Sequence, residues 1–291
     1  MNLCNDITEG VSPTTYITTA FSQVFDIFKT SFLSNGARGT SALITGATSG
    51  LGYEFVKLFA KEGYNLVLVA RSTQKLEEIK QFFGHTKVTV IPKDLSTMGA
   101  AKQVFEEIED QGIEIDVLVN NAGFGLMGRF DEMDIQKQSN MIQLNISSLT
   151  ELTYYFLQKM KQRNGGKILN VASTASFQPG PLMAVYYATK AFVLSFSEAL
   201  VEELSDTSIT VTTLCPGATK TNFGAVANAE NSKLFSRAMD SEKVAKMGFD
   251  ALMDGKRVII TGGLNKAGAY GAKFMPRSLA AKIAKYVAAE K

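Results

Sequence analysis

From about residue 40 onward, short apolar runs rich in β-branched residues alternate with longer stretches of helical periodicity. This alternation is typical of βα units whose parallel strands are buried on both faces of a sheet. The predicted strands cover residues 41–45, 65–70, 87–91, 116–120, 167–171, 208–214 and 257–261. Helices are predicted to begin near Gly50, Thr73, Met98, Met133, Val185 and Ser241. Because right-handed crossovers place such helices on both faces, we predict an α/β fold with a Rossmann-like, doubly wound, parallel seven-stranded sheet.

The composition restricts what this chain of 291 residues does. Apolar residues make up 45% and charged residues 20%, as in ordinary globular proteins, and a net charge of +2 points to no nucleic-acid partner. With only Cys4 and Cys215, and no positively charged start, we expect a cytoplasmic protein. We predict one main domain over 39–262, an amphipathic extension over 1–38 and a basic helical extension over 263–291.

The two extensions leave alternatives open. Apolar residues from Ile17 to Phe32 repeat at helical spacing, and charges interrupt them too often for a spanning helix. Packing on the core or on a second subunit is favoured there over a membrane-surface role. The last segment carries six cationic side chains and one carboxylate, Glu290. A solvated basic face is favoured, and peripheral contact with anionic lipid is the alternative.

The first predicted strand runs into a glycine-rich turn, TGATSGLG, and then into a helix. Such a turn brings unpaired backbone N–H groups and the positive end of a helix to one point, which suits a pyrophosphate. Glycine is expected there because a Cβ would hold the phosphates away. The sequence lacks the Lys-Ser/Thr ending of a P-loop, which argues against a kinase or ATPase. The loop residues expected to bind the cofactor are Gly46, Thr48, Ser49, Gly50, Leu51 and Gly52.

The ends of the next strands supply further cofactor contacts. Arg71 and Ser72 follow the second strand, where a cation and a hydroxyl suit a ribose 2′-phosphate, so NADP(H) is preferred over NAD. Asp94, with Leu95, follows the third strand. Its carboxylate is expected to accept from adenine or to cap a helix. Asn121, Ala122 and Gly123 follow the fourth strand and are expected beside the adenosine.

Tyr186 and Lys190 stand four residues apart in YYATK, so both project from one face of a helix. An ordinary tyrosine is a poor acid or base at neutral pH, and the neighbouring ammonium is expected to lower its pKa. Ser173, at the end of the fifth strand, is expected to hydrogen-bond the substrate oxygen. Asn145 is expected to reach Lys190 through a water. Tyr187, three residues before Lys190, is the rival tyrosine and is assigned to packing or to the substrate.

Together these motifs resemble the short-chain dehydrogenase/reductase family over roughly residues 39–262. The resemblance implies a catalytic tetrad of Asn145, Ser173, Tyr186 and Lys190, with the tyrosine as acid and base. It also implies that Pro216, Gly217, Thr219 and Thr221 hold the nicotinamide carboxamide, and that the protein is a dimer or tetramer. The end of the sequence is similar to NADP-preferring bacterial ketoacyl or hydroxysteroid-type reductases.

Apolar residues near the expected mouth of the site predict a lipophilic carbonyl or alcohol as substrate. Phe177 and Met183 are the predicted apolar substrate contacts, beside Ser173 and Tyr186; the wider set is Phe124, Met127, Pro179, Leu182 and Phe223. A hydrolase is excluded because His85 is the only histidine and no G-x-S-x-G motif is present. Two distant cysteines and one histidine exclude a zinc site. An NADP-binding sensor or scaffold without turnover and a nucleotide-sugar epimerase remain as alternatives.

Overall fold

A computed structural model describes residues 39–84, 86–229 and 232–289. The predicted N-terminal stripe over 1–38 and His85 lie outside the described residues. None of the described helices is long and apolar enough to cross a membrane.

Seven parallel strands form the central sheet in the order β3-β2-β1-β4-β5-β6-β9, which confirms the predicted sheet. Its strands are β1 Ser41–Thr45, β2 Asn65–Ala70, β3 Val88–Pro92, β4 Val117–Asn120, β5 Gly166–Val171, β6 Ile209–Cys215 and β9 Val258–Ile260. Two further strands, β7 Thr219–Lys220 and β8 Met239–Asp240, pair with each other outside the main sheet. Sequence periodicity did not reveal this small sheet, because two-residue strands are too short to show alternation.

The helices are α1 Gly50–Lys61, α2 Thr73–Phe82, α3 Ala100–Asp110, α4 Ile135–Ile142, α5 Leu149–Arg163, α6 Ala184–Glu203, α7 Phe223–Val226, α8 Ser241–Met253, α9 Gly263–Phe274 and α10 Arg277–Ala288. A π-helical segment, Gln143–Ser148, joins α4 to α5 without a break. Two short 3₁₀ segments, Thr174–Phe177 and Lys233–Arg237, lie close to the site described below.

Helices cover both faces of the sheet, as predicted. Every residue of β1 is buried, and alternate side chains point to opposite sides. Ile44 packs in one core with residues of α1 and α8, such as Phe55 and Phe249. Leu43 packs in the other core with residues of α3 and α5, such as Ile108 and Phe156. Burial on both faces explains why these strands are continuous apolar runs rather than alternating ones.

The strand order reverses at β1, which lies between β2 and β4 with Ile44 opposite both Leu68 and Val119. The connections from β1 and from β4 therefore leave in opposite directions across the sheet. In open α/β sheets this point opens a crevice beyond the carboxyl ends of the strands. The predicted site residues all follow strand ends or lie near the cleft on helices and loops, so the topology of the sheet brings them together at this edge.

Candidate active site

A cavity of about 670 Å³ lies along the carboxyl edge of the sheet. Its volume is within the range of small-molecule and cofactor sites. Most residues singled out from the sequence line it: Gly46, Thr48, Ser49, Gly50, Leu51, Arg71, Ser72, Asp94, Leu95, Asn121, Ala122, Gly123, Ser173, Met183, Tyr186, Lys190, Pro216, Gly217, Thr219 and Thr221. Gly52, Asn145 and Phe177 are not among the lining residues, and each has a different structural role.

The glycine-rich turn is shaped by its own backbone. Gly46 has a φ of +67°, and a Cβ there would lie 2.8 Å from Nδ2 of Asn121. A Cβ on Gly52 would lie only 2.0 Å from the carbonyl oxygen of Gly46. Glycine at this position therefore lets α1 pack against the turn. A contact between Gly52 and the cofactor stays a prediction.

The end of β4 is fastened to neighbouring strands by side-chain amides. Asn121 donates from Nδ2 to the carbonyl of Thr45 at 2.9 Å, while Oγ1 of Thr45 accepts from the backbone N–H groups of Asn121 and Ala122, each at 3.0 Å. Asn120 donates to Thr153 and to Asn170, both at 2.9 Å in the buried interior. These bonds hold the floor of the cleft where β1, β4 and β5 end.

The end of the cleft next to β2 and β3 is rich in cations. Arg71 and Lys75 are exposed there, and Lys93 is half-buried. The sequence pattern predicts Arg71 as a cofactor contact but neither lysine. Lys75 lies in the first turn of α2, and Lys93 directly precedes Asp94. Ser72 caps α2 by accepting from Lys75 N–H at 3.3 Å.

Asp94 does not cap a helix. Its Oδ1 accepts from the backbone N–H of Ser96 at 2.9 Å and from the Ser96 hydroxyl at 2.7 Å, which forms a tight turn after β3. Helix α3 begins later and has Gly99 at its N-cap. The capping alternative is therefore wrong, and Asp94 remains as a cleft-lining carboxylate.

At the opposite end, Ser173, Tyr186 and Lys190 come together. The Ser173 hydroxyl lies close enough to the Tyr186 phenol to lower the pKa of that phenol. Nζ of Lys190 lies 5.9 Å from the centre of the Tyr186 ring and donates to the carbonyl of Val171 at 2.8 Å. Ser173 is held in turn, since its Oγ accepts from Ala175 N–H at 3.1 Å. Strand β5 and helix α6 thus place a hydroxyl, a phenol and an ammonium in one buried corner.

Burial dominates the proton affinities in this corner. It raises the pKa of Tyr186 above the ordinary value, and the Ser173 hydroxyl opposes this only in part. Burial also lowers the pKa of Lys190 to about 8. The expectation of a lowered tyrosine pKa is therefore wrong for the protein's own groups, because desolvation of the phenolate has the largest influence on this pKa.

Asn145 acts through the backbone around it. Its Nδ2 donates to the carbonyl of Phe124 at 2.9 Å and to Oγ1 of Thr189 at 3.1 Å, while its Oδ1 accepts from Phe124 N–H at 3.2 Å. The expected link from Asn145 to Lys190 through a water stays a prediction. The π-helical turn places this amide against the backbone at Gly123 and Phe124. A Cβ on Gly123 would lie 3.0 Å from Oδ1 of Asn145.

Phe177 is not among the residues that line the cleft, and its role as a substrate contact stays a prediction. It lies against a core that includes Val193, Ile260 and Ala269, and Nζ of Lys273 stands 5.5 Å from its ring centre. The apolar wall of the cleft consists instead of Phe124, Leu126, Met183, Phe223, Val226, Leu234 and Phe235. Leu234 and Phe235 lie on a short 3₁₀ segment far along the chain, and no sequence motif predicts that they line the cleft.

Tyr187 packs in the interior and also lines the cleft. It is buried, and a Cβ on Gly180 would come within 2.3 Å of atoms in its ring. The glycine therefore makes room for the Tyr187 ring, and Tyr186 is the tyrosine that faces Ser173.

The parallel sheet, its reversal point and this polar cleft define an enzyme of the nucleotide-binding α/β class. Residues 40–232 match the family described as short chain dehydrogenase. The chain belongs to this family, which confirms the resemblance in its motifs. It is accordingly an oxidoreductase that acts on CH–OH or C=O groups of small molecules with a nicotinamide dinucleotide.

Similar proteins include two hydroxysteroid dehydrogenases. The 7beta-hydroxysteroid dehydrogenase of Clostridium sardiniense is 29% identical over 232 residues, which cover 78% of this chain and 87% of that protein. The 17-beta-hydroxysteroid dehydrogenase type 3 of Mus musculus is 34% identical over 201 residues, which cover 67% of this chain and 65% of that protein. A solved short-chain dehydrogenase from Sphingobium yanoikuyae in complex with NADPH has a TM-score of 0.71 at 28% identity, covering 80% of this chain and 93% of that one.

Proposed function

We propose that this protein uses NADPH to reduce a carbonyl group of a lipophilic substrate, and that Tyr186 supplies the proton. The observation that carries the proposal is the buried contact between Ser173, Tyr186 and Lys190 beside an apolar wall. A homo-oligomeric, cytoplasmic enzyme remains our prediction.

The residues present fit a dinucleotide. Ser49 precedes α1 in an extended conformation, and its side chain makes no capping hydrogen bond within the described part of the chain, so the first N–H groups of α1 are left for another acceptor. Across the cleft, a Cβ on Gly50 would lie 3.0 Å from Cγ2 of Thr221, so glycine keeps this passage open. We assign the phosphates to the turn at Gly46–Gly50 and the nicotinamide to the side of Thr221. When bound, the dinucleotide supplies the hydride.

The preference for NADPH rests on charge. Arg71, Lys75 and Lys93 line the end of the cleft where the ribose 2′ position of a dinucleotide lies in this fold. A 2′-phosphate gains charge-assisted hydrogen bonds from such cations, whereas a free 2′-hydroxyl gains little. Asp94 also lines this end, but its Oδ1 is already engaged by Ser96.

The proton step follows from the buried corner. With its raised pKa, Tyr186 is protonated at neutral pH and can donate to the substrate oxygen as negative charge develops there. The Ser173 hydroxyl stabilises that charge by donating to the same oxygen. Lys190, fixed by Val171, is a cation close to the phenol, so its charge offsets the cost of the transient phenolate.

The lipophilic character of the substrate is inferred from the cleft wall. Phe223 lies 5.3 Å from the Tyr186 ring, measured between ring centres, and Met183 is buried beside it. These side chains surround the substrate carbon chain next to the reacting oxygen. Small polar carbonyl compounds would leave this apolar surface exposed to water.

The proposal is tested by following NADPH oxidation with a series of ketones of increasing chain length and ring number. We expect kcat/KM to rise with apolar size and to exceed the value with NADH by at least about tenfold. Faster turnover of small polar ketones would contradict the lipophilic substrate. Tight NADPH binding without oxidation by any carbonyl compound would instead indicate the sensor or scaffold alternative, and turnover without net cofactor change would indicate an epimerase.

A further inference from the structure

The last two helices expose large apolar side chains to solvent. Phe274 is 88% exposed and Leu264 is 75% exposed. We call the following six residues the C-terminal apolar face: Leu264, Tyr270, Phe274, Leu279, Ile283 and Tyr286. All six side chains are exposed to solvent. Large exposed apolar side chains that concentrate in one part of a protein mark interaction sites.

Helix α10 is inverted relative to an ordinary amphipathic helix. Its small residues Ala280, Ala284 and Ala288 are buried against the protein. Its large apolar residues Leu279 and Ile283 stand four residues apart on the outer side, and Tyr286 continues the stripe three residues later. An amphipathic surface helix normally packs its large apolar residues on the core. In α10 the large apolar residues face solvent instead.

The charged residues within the two helices that carry this face are all positive. Residues 263–289 contain no Asp or Glu, and their cations are Lys266, Lys273, Arg277, Lys282 and Lys285. Cations of this kind are attracted to an anionic lipid surface. A symmetric contact between two copies of this chain would instead bring two basic surfaces together, which is unfavourable. Apolar residues within a basic surrounding therefore fit a membrane surface better than a second copy.

We propose that the C-terminal apolar face docks onto the surface of an anionic phospholipid bilayer. The large apolar residues enter the interface, and the lysines contact the headgroups. The docked helix adjoins the cleft: the backbone N–H of Lys233 donates to the carbonyl of Ala289 at 3.3 Å, and its Nζ stands 4.0 Å from the ring centre of Tyr286. Leu234 and Phe235, which follow Lys233, belong to the cleft wall. The docking face and the cleft wall are thus parts of one continuous structure.

The proposal is tested by co-sedimentation of the full chain with vesicles of phosphatidylcholine alone and of phosphatidylcholine mixed with phosphatidylglycerol. We expect binding to the anionic vesicles and at least about tenfold weaker binding to the neutral ones. The double variant Phe274→Ser and Ile283→Ser should weaken binding to the anionic vesicles by about tenfold or more, because two inserting side chains are lost. Lys282→Gln with Lys285→Gln should weaken it by a similar factor that shrinks at high salt.

Matched controls are Phe82→Ser and Met98→Ser, which remove side chains that are 72% and 85% exposed elsewhere on the surface. Both should bind the vesicles as the unaltered chain does. Failure of the unaltered chain to bind would overturn the proposal, as would binding that survives both double substitutions, since another segment would then carry it. Conversion of a dimer to a monomer by Phe274→Ser with Ile283→Ser, without vesicle binding by the unaltered chain, would assign the face to a second copy.

Discussion

The two ends of the cleft are built in different ways. At one end, Tyr186 and Lys190 are almost fully buried, and burial shifts both of their pKa values. At the other end, Arg71 and Lys75 are exposed to solvent, where water screens their charges. A substitution at the buried end should therefore change the chemistry by large factors. A substitution at the exposed end should change cofactor binding by modest, salt-dependent factors.

The largest effect is expected from Tyr186→Phe. This change removes the proton donor but leaves an aromatic ring of the same shape, so kcat/KM should fall by about 10³–10⁴ while NADPH affinity changes little. The measurement is steady-state NADPH oxidation together with cofactor binding by fluorescence. Tyr187→Phe is the matched control and should stay within about tenfold of the unaltered enzyme. Undiminished turnover by the Tyr186 variant would refute the assigned proton donor.

The second-largest effect is expected from Lys190→Met, which should lower activity but raise stability. Loss of the cation beside the phenol should lower kcat by about 10²–10³. The folded-state pKa of Lys190, about 8, lies below that of an ordinary lysine, so the unfolded chain binds more protons between these two values. The buried ammonium thus destabilises the fold at pH 7, and the methionine should raise the free energy of unfolding by about 1–3 kcal/mol.

The same pKa fixes a pH dependence. If the ammonium form of Lys190 is required, carbonyl reduction by the unaltered enzyme should decline as the pH rises through about 8. Urea unfolding and a pH–rate profile measure the two effects, and Lys80→Met, on the exposed surface of α2, serves as the control. A flat profile up to pH 10, or a destabilised methionine variant, would contradict the charge assigned to Lys190.

The exposed end gives a smaller effect. Arg71→Ala removes one of several screened cations, so kcat/KM with NADPH should fall by about 10–100-fold while the value with NADH changes little. The decrease should shrink as salt is added. Arg129→Ala, which removes an exposed arginine paired with acidic neighbours, is the control. An equal decrease in kcat/KM with both cofactors would mean that Arg71 supports the loop conformation and does not bind the 2′-phosphate.

The sequence predicted the sheet and most of the cleft because both depend on strong local patterns. Parallel strands are buried apolar runs with distinct ends, and the topology of the sheet brings those ends together. The sequence therefore predicts that Ser173 and Lys190 lie at the same edge of the sheet. What escaped prediction depends on distant packing. The π-helical turn at Asn145 has the same apolar periodicity as an α-helix, and the raised pKa of Tyr186 reflects burial by elements far along the chain. Leu234 and Phe235 carry no motif at all.

The smallest effect is expected from Phe177→Leu, which separates residues near the active site from residues within it. Phe177 is the last residue of the 3₁₀ turn that follows Ser173, yet its ring packs on α9 and Lys273 and does not line the cleft. The substitution should lower the free energy of unfolding by about 1 kcal/mol through lost packing, with kcat/KM unchanged within about twofold. Phe223→Leu, which alters the ring beside Tyr186, should instead lower kcat/KM for long-chain ketones by about tenfold and spare short ones. If the two variants behaved in the opposite way, the substrate would lie on the α9 side of Ser173, and the apolar wall would have to be redrawn around Phe177.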